Sequence, residues 1–401
     1  MAKIAVIDLL FHWPPDGGSR VDLKEIFTRI SKYHSVTFFV PEFLRYYPRG
    51  EILSPVDGID IELIKFNPLT YNFFQVPLRI KRAVDKFKPD FVFIADGELI
   101  KPYVVDAMRE YKPIVRYYSY DSFCIKDYGT LFRDKKICSR CYLDTPFYCL
   151  KCSLAWVLKW HPRNATHTFF TSLAFTPLLY RAFKRGLSSA GGVIVYNNYI
   201  AEMVKKVNKK CYVVPSGVDT SLFTPKEKNS RNDKFTILMS GRVNDYGKGF
   251  HILYKACKKL YRKGYNIEVL ITGEKTVDDD FVKSAGWLNP EELPSLYSKA
   301  DVSVVPSIWM EPFGIVAVES LACGIPVIAS NTGGLATIVE DGETGILFKT
   351  GDEDELSNAI EKLINDRKLL QKMGEKARMS AVKRFDWDMI VKNHYLHLFE
   401  K

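Results

Sequence analysis

Residues 311 to 330 read EPFGIVAVESLACGIPVIAS, an apolar run that nevertheless keeps two glutamates, Glu311 and Glu319, eight positions apart. The stretch before it, DVSVVPS (301 to 307), has the β-branched density of a buried strand. Pro312 suits the first turn of a helix and Gly324 the position just past its end, so a helix is predicted from about Phe313 to Ala322. Strand, loop and helix in that order put the amides near Phe313, Gly314 and Ile315 at the carboxyl end of a strand. Those amides lack intrahelical partners and face a crevice, a natural seat for a diphosphate. Glu311 stands just before the helix, and Glu319 follows about 12 Å further along at ~1.5 Å per residue. The two carboxylates can therefore accept hydrogen bonds from hydroxyl groups on either side of the phosphates. For Glu319 the plain alternative is a salt bridge on a half-buried helix.

Outward from this stretch the chain alternates strand-like and helical runs. KFTILMSGR, a helix near 248 to 263, IEVLITG, DDFVKSAGWL, ELPSLYSKA and GILFK belong to one series. KIAVIDLL, a helix from about Asp22 to Tyr33, SVTFFV, IELIKF, DFVFIAD, PIVRYYSY, GGVIVYN and CYVVPSG belong to another. Such alternation predicts parallel, doubly wound sheets. The series join in a Pro/Ser/Asn/Lys-rich stretch between Pro215 and Asn232, and 401 residues exceed one ordinary core. The expected fold class is α/β, with two Rossmann-like domains over 1–215 and 216–385 and a cleft between them. Ligands in such sheets bind at the carboxyl ends of the strands.

Two other loops fall at those ends. SGRVNDYGKG (240 to 249) offers Arg242 and Lys248 among glycines that let a phosphate approach the backbone. On its own, a turn with a surface Arg and Lys reads equally well. NTGGLATIVEDGETG (331 to 345) is a glycine-rich turn before another helix.

Residues 122–188 interrupt the rhythm of the first domain. They hold Cys138-x2-Cys141 and Cys149-x2-Cys152, a spacing that fits a four-thiolate structural Zn²⁺, with two disulfides or four free thiols as the alternatives. Between Lys151 and Arg185 there is no acidic residue, while Trp156, Trp160, Phe169, Phe170 and Tyr180 alternate with lysines and arginines. Residues 1 to 200 carry about +9 of the net charge of +10. A basic, aromatic face suits peripheral contact with an anionic membrane; a Lys-rich surface of thermophilic type is the other reading. MAKIAVIDLL is broken by Asp8 and lacks a cleavage site, so it reads as a strand, not a leader. No run is long enough to span a bilayer. The expected location is cytoplasmic, at most peripheral on the inner face of the membrane, with no nucleic-acid partner.

EPFGIVAVESLACGIPVIASNTGGLATIVEDGETGILF, with its Glu311-x7-Glu319 spacing, resembles retaining glycosyltransferases of the GT-B fold, family four. VVPSGVDTSLFTP resembles that family's linker, with Ser216 in place of the usual Asn, and SGRVNDYGKGFHIL its phosphate loop. GWLNPEELPSLYSKADVSVVPS resembles a third segment, so the likeness covers nearly all of residues 190 to 348; the first half matches loosely, through PPDGGSRVDLKEI. The resemblance implies an enzyme that moves a sugar from a UDP- or GDP-sugar donor to a glycan or lipid-linked acceptor. By the same resemblance Arg242 and Lys248 hold the pyrophosphate, and Glu319 the ribose. Glu311 meets the transferred sugar beside the amides of Phe313, Gly314 and Ile315. Gly17 and Gly18 form a first-domain loop over the substrates, with Arg20 a further anion ligand. A C-terminal helix over 386–401 is expected to return to the first domain. Where many members carry His-Asp, this chain has Tyr120 and Asp121, so only Asp121 remains a candidate, with a cap or surface turn as its alternative. No catalytic metal is expected, since these cations and amides meet the leaving-group charge. Other readings are a sugar-phosphate acceptor, a nucleotide-sugar epimerase or phosphorylase of the same fold, and a non-catalytic binding module.

Overall fold

The structure, a computed structural model, describes residues 1–15, 17–126, 131–159, 163–226 and 233–400. The chain divides into two compact units. The first comprises Met1–Leu131, Cys138–Pro215 and Val391–Lys401; the second comprises Phe132–Ile137 and Ser216–Ile390.

In chain order the first unit contributes β1 (Lys3–Ile7), α1 (Gly18–Ile30), β2 (Ser35–Glu42), β3 (Asp60–Lys65), α2 (Gln75–Phe87), β4 (Phe91–Ile94), α3 (Lys101–Ala107) and β5 (Ile114–Arg116). A short antiparallel pair, β6 (Phe132–Arg133) and β7 (Lys136–Ile137), groups with the second unit. Then follow α4 (Pro146–Lys159), α5 (Arg163–Thr171), α6 (Pro177–Ser189), β8 (Gly192–Val195), α7 (Asn198–Lys205) and β9 (Cys211–Val213). Seven strands form one parallel sheet in the order β3-β2-β1-β4-β5-β8-β9. Central β1 is buried from Ile4 to Ile7, which explains a continuous apolar run where a half-exposed strand would alternate. Edge strand β3, DIELIK, keeps charges on its open side, which discourages pairing with another chain. Helix α1 starts earlier than the sequence predicts because extended Gly17 stands as its N-cap.

The second unit contains β10 (Phe235–Met239), α8 (Phe250–Arg262), β11 (Ile267–Ile271), β12 (Val282–Ser284), α9 (Leu293–Tyr297), β13 (Val302–Val305), α10 (Ile315–Ala322), β14 (Val327–Ser330), α11 (Leu335–Ile338), β15 (Gly345–Phe348), α12 (Glu353–Asn365) and α13 (Arg367–Phe385). Its sheet, also parallel, runs β12-β11-β10-β13-β14-β15. Strand order reverses between β10 and β13, so the loops after these two strands part and leave a crevice at their carboxyl ends. The core packs Ile237, Val269, Val304 and Ile328 of the sheet against Leu253, Ala256 and Leu260 of α8 and Leu356, Ile360 and Leu363 of α12. Asp352 and Asp366 cap α12 and α13 by accepting from backbone amides of their first turns.

Helix α14 (Trp387–His394) carries the chain back from the second unit into the first. There Phe399 packs among Phe27, Phe91 and Phe93, with ring centroids 5.7 to 6.5 Å away. Buried Tyr395 lies 5.7 Å from the Arg116 guanidinium, which pairs with Asp22 at 3.2 Å.

Candidate active site

In the second unit Lys248 follows β10 and Glu311 follows β13, the two strands at the reversal. The Lys248 ammonium donates to both Glu311 oxygens, at 3.0 Å and 2.9 Å, and sits 5.0 Å from the Trp309 ring centre. Ser307 Oγ and Trp309 Nε1 also donate to Glu311 Oε2, at 3.0 Å and 2.9 Å. Glu311 is only 7% exposed, and this set of donors offsets the cost of burying its charge. The glycine-rich turn 331–345 backs the same loop: the Gly334 amide donates to the Glu311 carbonyl at 2.7 Å.

Gly249 shapes the other side. Its φ is +79°, and a Cβ there would lie 1.9 Å from the Pro306 carbonyl oxygen. Only glycine lets the turn ahead of α8 press against the end of β13, and that contact puts Lys248 beside Glu311. Arg242, on the same turn, is 69% exposed and stands 3.9 Å from Asp245.

Helix α10 begins at Ile315, not at Phe313 as its proline suggested, because Gly314 has a φ of +120° that no helix admits. Phe313 is buried and meets Phe385 edge-to-face, with ring centroids 6.1 Å apart. Glu319 faces the side of the Ser240 turn: Tyr297 Oη lies 2.9 Å from its Oε2 and 2.8 Å from Ser240 Oγ. Among the described residues no cation pairs with Glu319; burial pushes its carboxyl up to about 7, against the Tyr297 hydrogen bond that lowers it. It is therefore a carboxyl close to its titration point at neutral pH.

In the first unit Gly17 and Gly18 form the entry to α1, and neighbouring Asp16 lies outside the described residues. The Arg20 guanidinium donates to Tyr47 Oη at 2.6 Å, Ser19 Oγ at 2.9 Å and the Leu10 carbonyl at 3.4 Å. Asp121, in the loop after β5, is 5% exposed; it is neither a helix cap nor an exposed turn residue. Its Oδ1 accepts from Ser119 Oγ at 3.2 Å, and the Lys101 ammonium lies 3.6 Å from Oδ2. Burial raises its carboxyl to about 7, Lys101 opposing and Asp96 and Glu98 adding to the rise. Tyr120, beside it, is fully buried and reaches Asn197.

The structure does not show the four-thiolate zinc site. Among the described residues no group of three or more His, Cys, Asp or Glu side chains stands close enough to hold a metal, and all eight cysteines are free thiols. Cys149 and Cys152 lie one turn apart on α4 instead of in a second metal-gripping turn. Burial raises the Cys141 and Cys149 thiols to about 11.

Sequence reasoning missed Tyr297, Ser307, Trp309, Lys101 and Glu98. The first three sit in or beside quoted motif stretches, but aromatic and hydroxyl side chains there read as core until their partners are known.

Residues 222–380 match the family model described as Glycosyl transferases group 1. The chain is 31% identical over 193 residues to the MMP alpha-(1->4)-mannosyltransferase of Mycolicibacterium hassiacum, covering 45% of this chain and 46% of that one. It spans about half the length of the curated relatives it matches. Sucrose-phosphate synthase from Thermosynechococcus elongatus superposes with a TM-score of 0.72 at 22% identity, over 100% of this chain and 99% of that one. Anabaena Alr3699/HepE, solved in complex with UDP and glucose, superposes with a TM-score of 0.64 at 18% identity over the whole of both chains. The chain shares the GT-B fold of these structures.

Proposed function

We propose that the chain, whose residues 222–380 match the family model of glycosyl transferases group 1, moves a sugar, with retained anomeric configuration, from a nucleotide-diphosphate sugar to a glycan or lipid-linked hydroxyl. The observation that carries this reading is the joining of Lys248 and Glu311 across the strand reversal, with the N-terminus of α10 beside them. An ammonium has three donors. Two of Lys248's serve Glu311, which leaves one for a phosphate oxygen. As the sugar–phosphate bond lengthens, the sugar gains oxocarbenium character and the diphosphate gains negative charge. Lys248, Arg242 and the amides of Phe313, Gly314 and Ile315 stabilise that charge where it develops. Glu311 orients Lys248 and faces the sugar, while Glu319 and Tyr297 take the ribose hydroxyls. On this reading no catalytic metal is required. The bound ligands of Alr3699/HepE favour UDP as the nucleotide.

Thermal denaturation with UDP, GDP, ADP and their sugar conjugates tests the donor site. A nucleotide at 100 times its Kd adds about 2.7 kcal/mol to the state it binds. One nucleotide is expected to raise Tm, and Glu319→Ala to abolish the rise. Absence of any shift, or an equal shift in Glu319→Ala, would overturn the assignment.

A lipid-linked acceptor fits α4. Phe147 is 87% exposed and Leu158 74%, and an eleven-residue spacing puts them on one face with Lys151. No helix among the described residues is long and apolar enough to cross a membrane. The full chain is expected to sediment with vesicles containing anionic phosphatidylglycerol and to lose that binding in Phe147→Ser/Leu158→Ser. Equal recovery with neutral vesicles would remove the electrostatic part of this reading.

A further inference from the structure

Glu311 does not use its two oxygens equally. Oε2 accepts from Lys248 Nζ at 2.9 Å, Ser307 Oγ at 3.0 Å and Trp309 Nε1 at 2.9 Å. Among the described residues Oε1 accepts from Lys248 alone, at 3.0 Å. A carboxylate oxygen offers about two lone-pair sites, so Oε2 is filled and Oε1 keeps one open. Ser307 and Trp309 stand four and two positions before Glu311 in the loop between β13 and α10. The choice of oxygen is therefore built into that loop.

The same indole meets Lys248. Ile308 N donates to the Gly247 carbonyl at 2.9 Å, which joins this loop to the turn ahead of α8. A Cβ on Gly247 would stand 3.6 Å from Trp309 Cγ and 3.7 Å from Cδ1, so the backbone of the turn lies against the pyrrole side of the ring. One residue on, the Lys248 ammonium stands 5.0 Å from the ring centre, where the negative π-face attracts it. The ring bounds the ammonium on one side and Glu311 holds two of its N–H groups, which narrows where the third can point. Packing alone does not require a tryptophan here. A leucine or phenylalanine would also fill a half-buried position, but neither brings an N–H to a buried carboxylate.

We propose that Trp309 is a positioning residue for sugar transfer. Its N–H engages Oε2 and so turns Oε1 toward a hydroxyl of the transferred sugar, while its ring holds Lys248 with one N–H toward the diphosphate. The proposal rests on the transferase reading above and divides the indole's work: the N–H serves the sugar through Glu311, and the ring serves the diphosphate through Lys248.

Two measurements on the full chain test this, with UDP and UDP-glucose as the probes. The first is the indole N–H spectrum of protein labelled with nitrogen-15 tryptophan. The Trp309 signal, identified by its loss in Trp309→Phe, is expected downfield of an indole that donates to water, and Glu311→Gln should move it upfield. The second is calorimetric titration. Trp309→Phe keeps a ring and removes the N–H, so the affinity of UDP-glucose relative to UDP should fall about tenfold, the worth of one hydrogen bond to a charged group. Affinity for UDP itself should hold. Trp309→Leu removes the ring as well and should weaken UDP too.

An indole signal indifferent to Glu311→Gln, or an unchanged affinity ratio in Trp309→Phe, would overturn the proposal. So would equal loss of UDP affinity in the two Trp309 variants, since the residue would then be packing for the whole site. Failure of the unaltered chain to bind UDP, with the indole signal still answering to Glu311→Gln, would instead overturn the donor reading and take the proposal with it.

Discussion

Glu319 carries a conflict between folding and binding. Its carboxyl titrates near 7 in the folded chain and near 4.5 when exposed, so between those values the folded state holds more protons than the unfolded one. Stability then falls as pH rises through that window, and above 7 the folded chain bears an ionised, half-buried acid. Glu319→Gln should remove this slope. Without ligand, the variant is expected to be more stable than the unaltered chain at pH 8 by on the order of 1 kcal/mol, discounted for the side chain's solvent edge, and to lose that advantage at pH 5. Thermal melts at both pH values check it; parallel behaviour at the two would contradict the titration. The positions of Glu311 and Glu319 in a loop and a helix after a strand were legible in the sequence, because proline, glycine and apolar spacing are local signals. Their partners were not. Lys248 meets Glu311 across 63 positions and Tyr297 meets Glu319 across 22, and no local pattern encodes such pairs.

At the scale of elements, the parallel sheets were readable because strands buried on both faces need unbroken apolar runs. Helix α10 was placed two residues too early because Pro312 is a strong start signal, whereas the φ of Gly314 depends on Leu335 lying where a Cβ would clash. The cysteine spacing is ambiguous in a similar way, since an i, i+3 pair suits a helix face as well as a metal-gripping turn. Gly249 shows how one backbone position joins two elements. Gly249→Ala is expected to cost the second unit more than about 4 kcal/mol, since both the left-handed φ and the approach to Pro306 must give way. A urea midpoint unchanged from that of the unaltered chain would mean the turn before α8 has another backbone path.

For the molecule as a whole, the last residues matter more than their number suggests. Phe399 fills space among three phenylalanines of the first unit. Phe399→Ala should cost about 3–5 kcal/mol of that unit's stability. The nucleotide response of the second unit should survive, so calorimetry with and without UDP separates the two; a single unaffected transition would refute the expectation. The return of the chain also has a bearing on biosynthesis. A ribosome releases everything needed for the first sheet by Pro215, yet the piece that closes its core emerges only after the second unit has been made. At roughly 5–20 residues per second, that is a wait of about 10–35 s. The segment translated first is thus the last to be finished, and until then it offers Phe27, Phe91 and Phe93 to whatever chaperone attends the nascent chain.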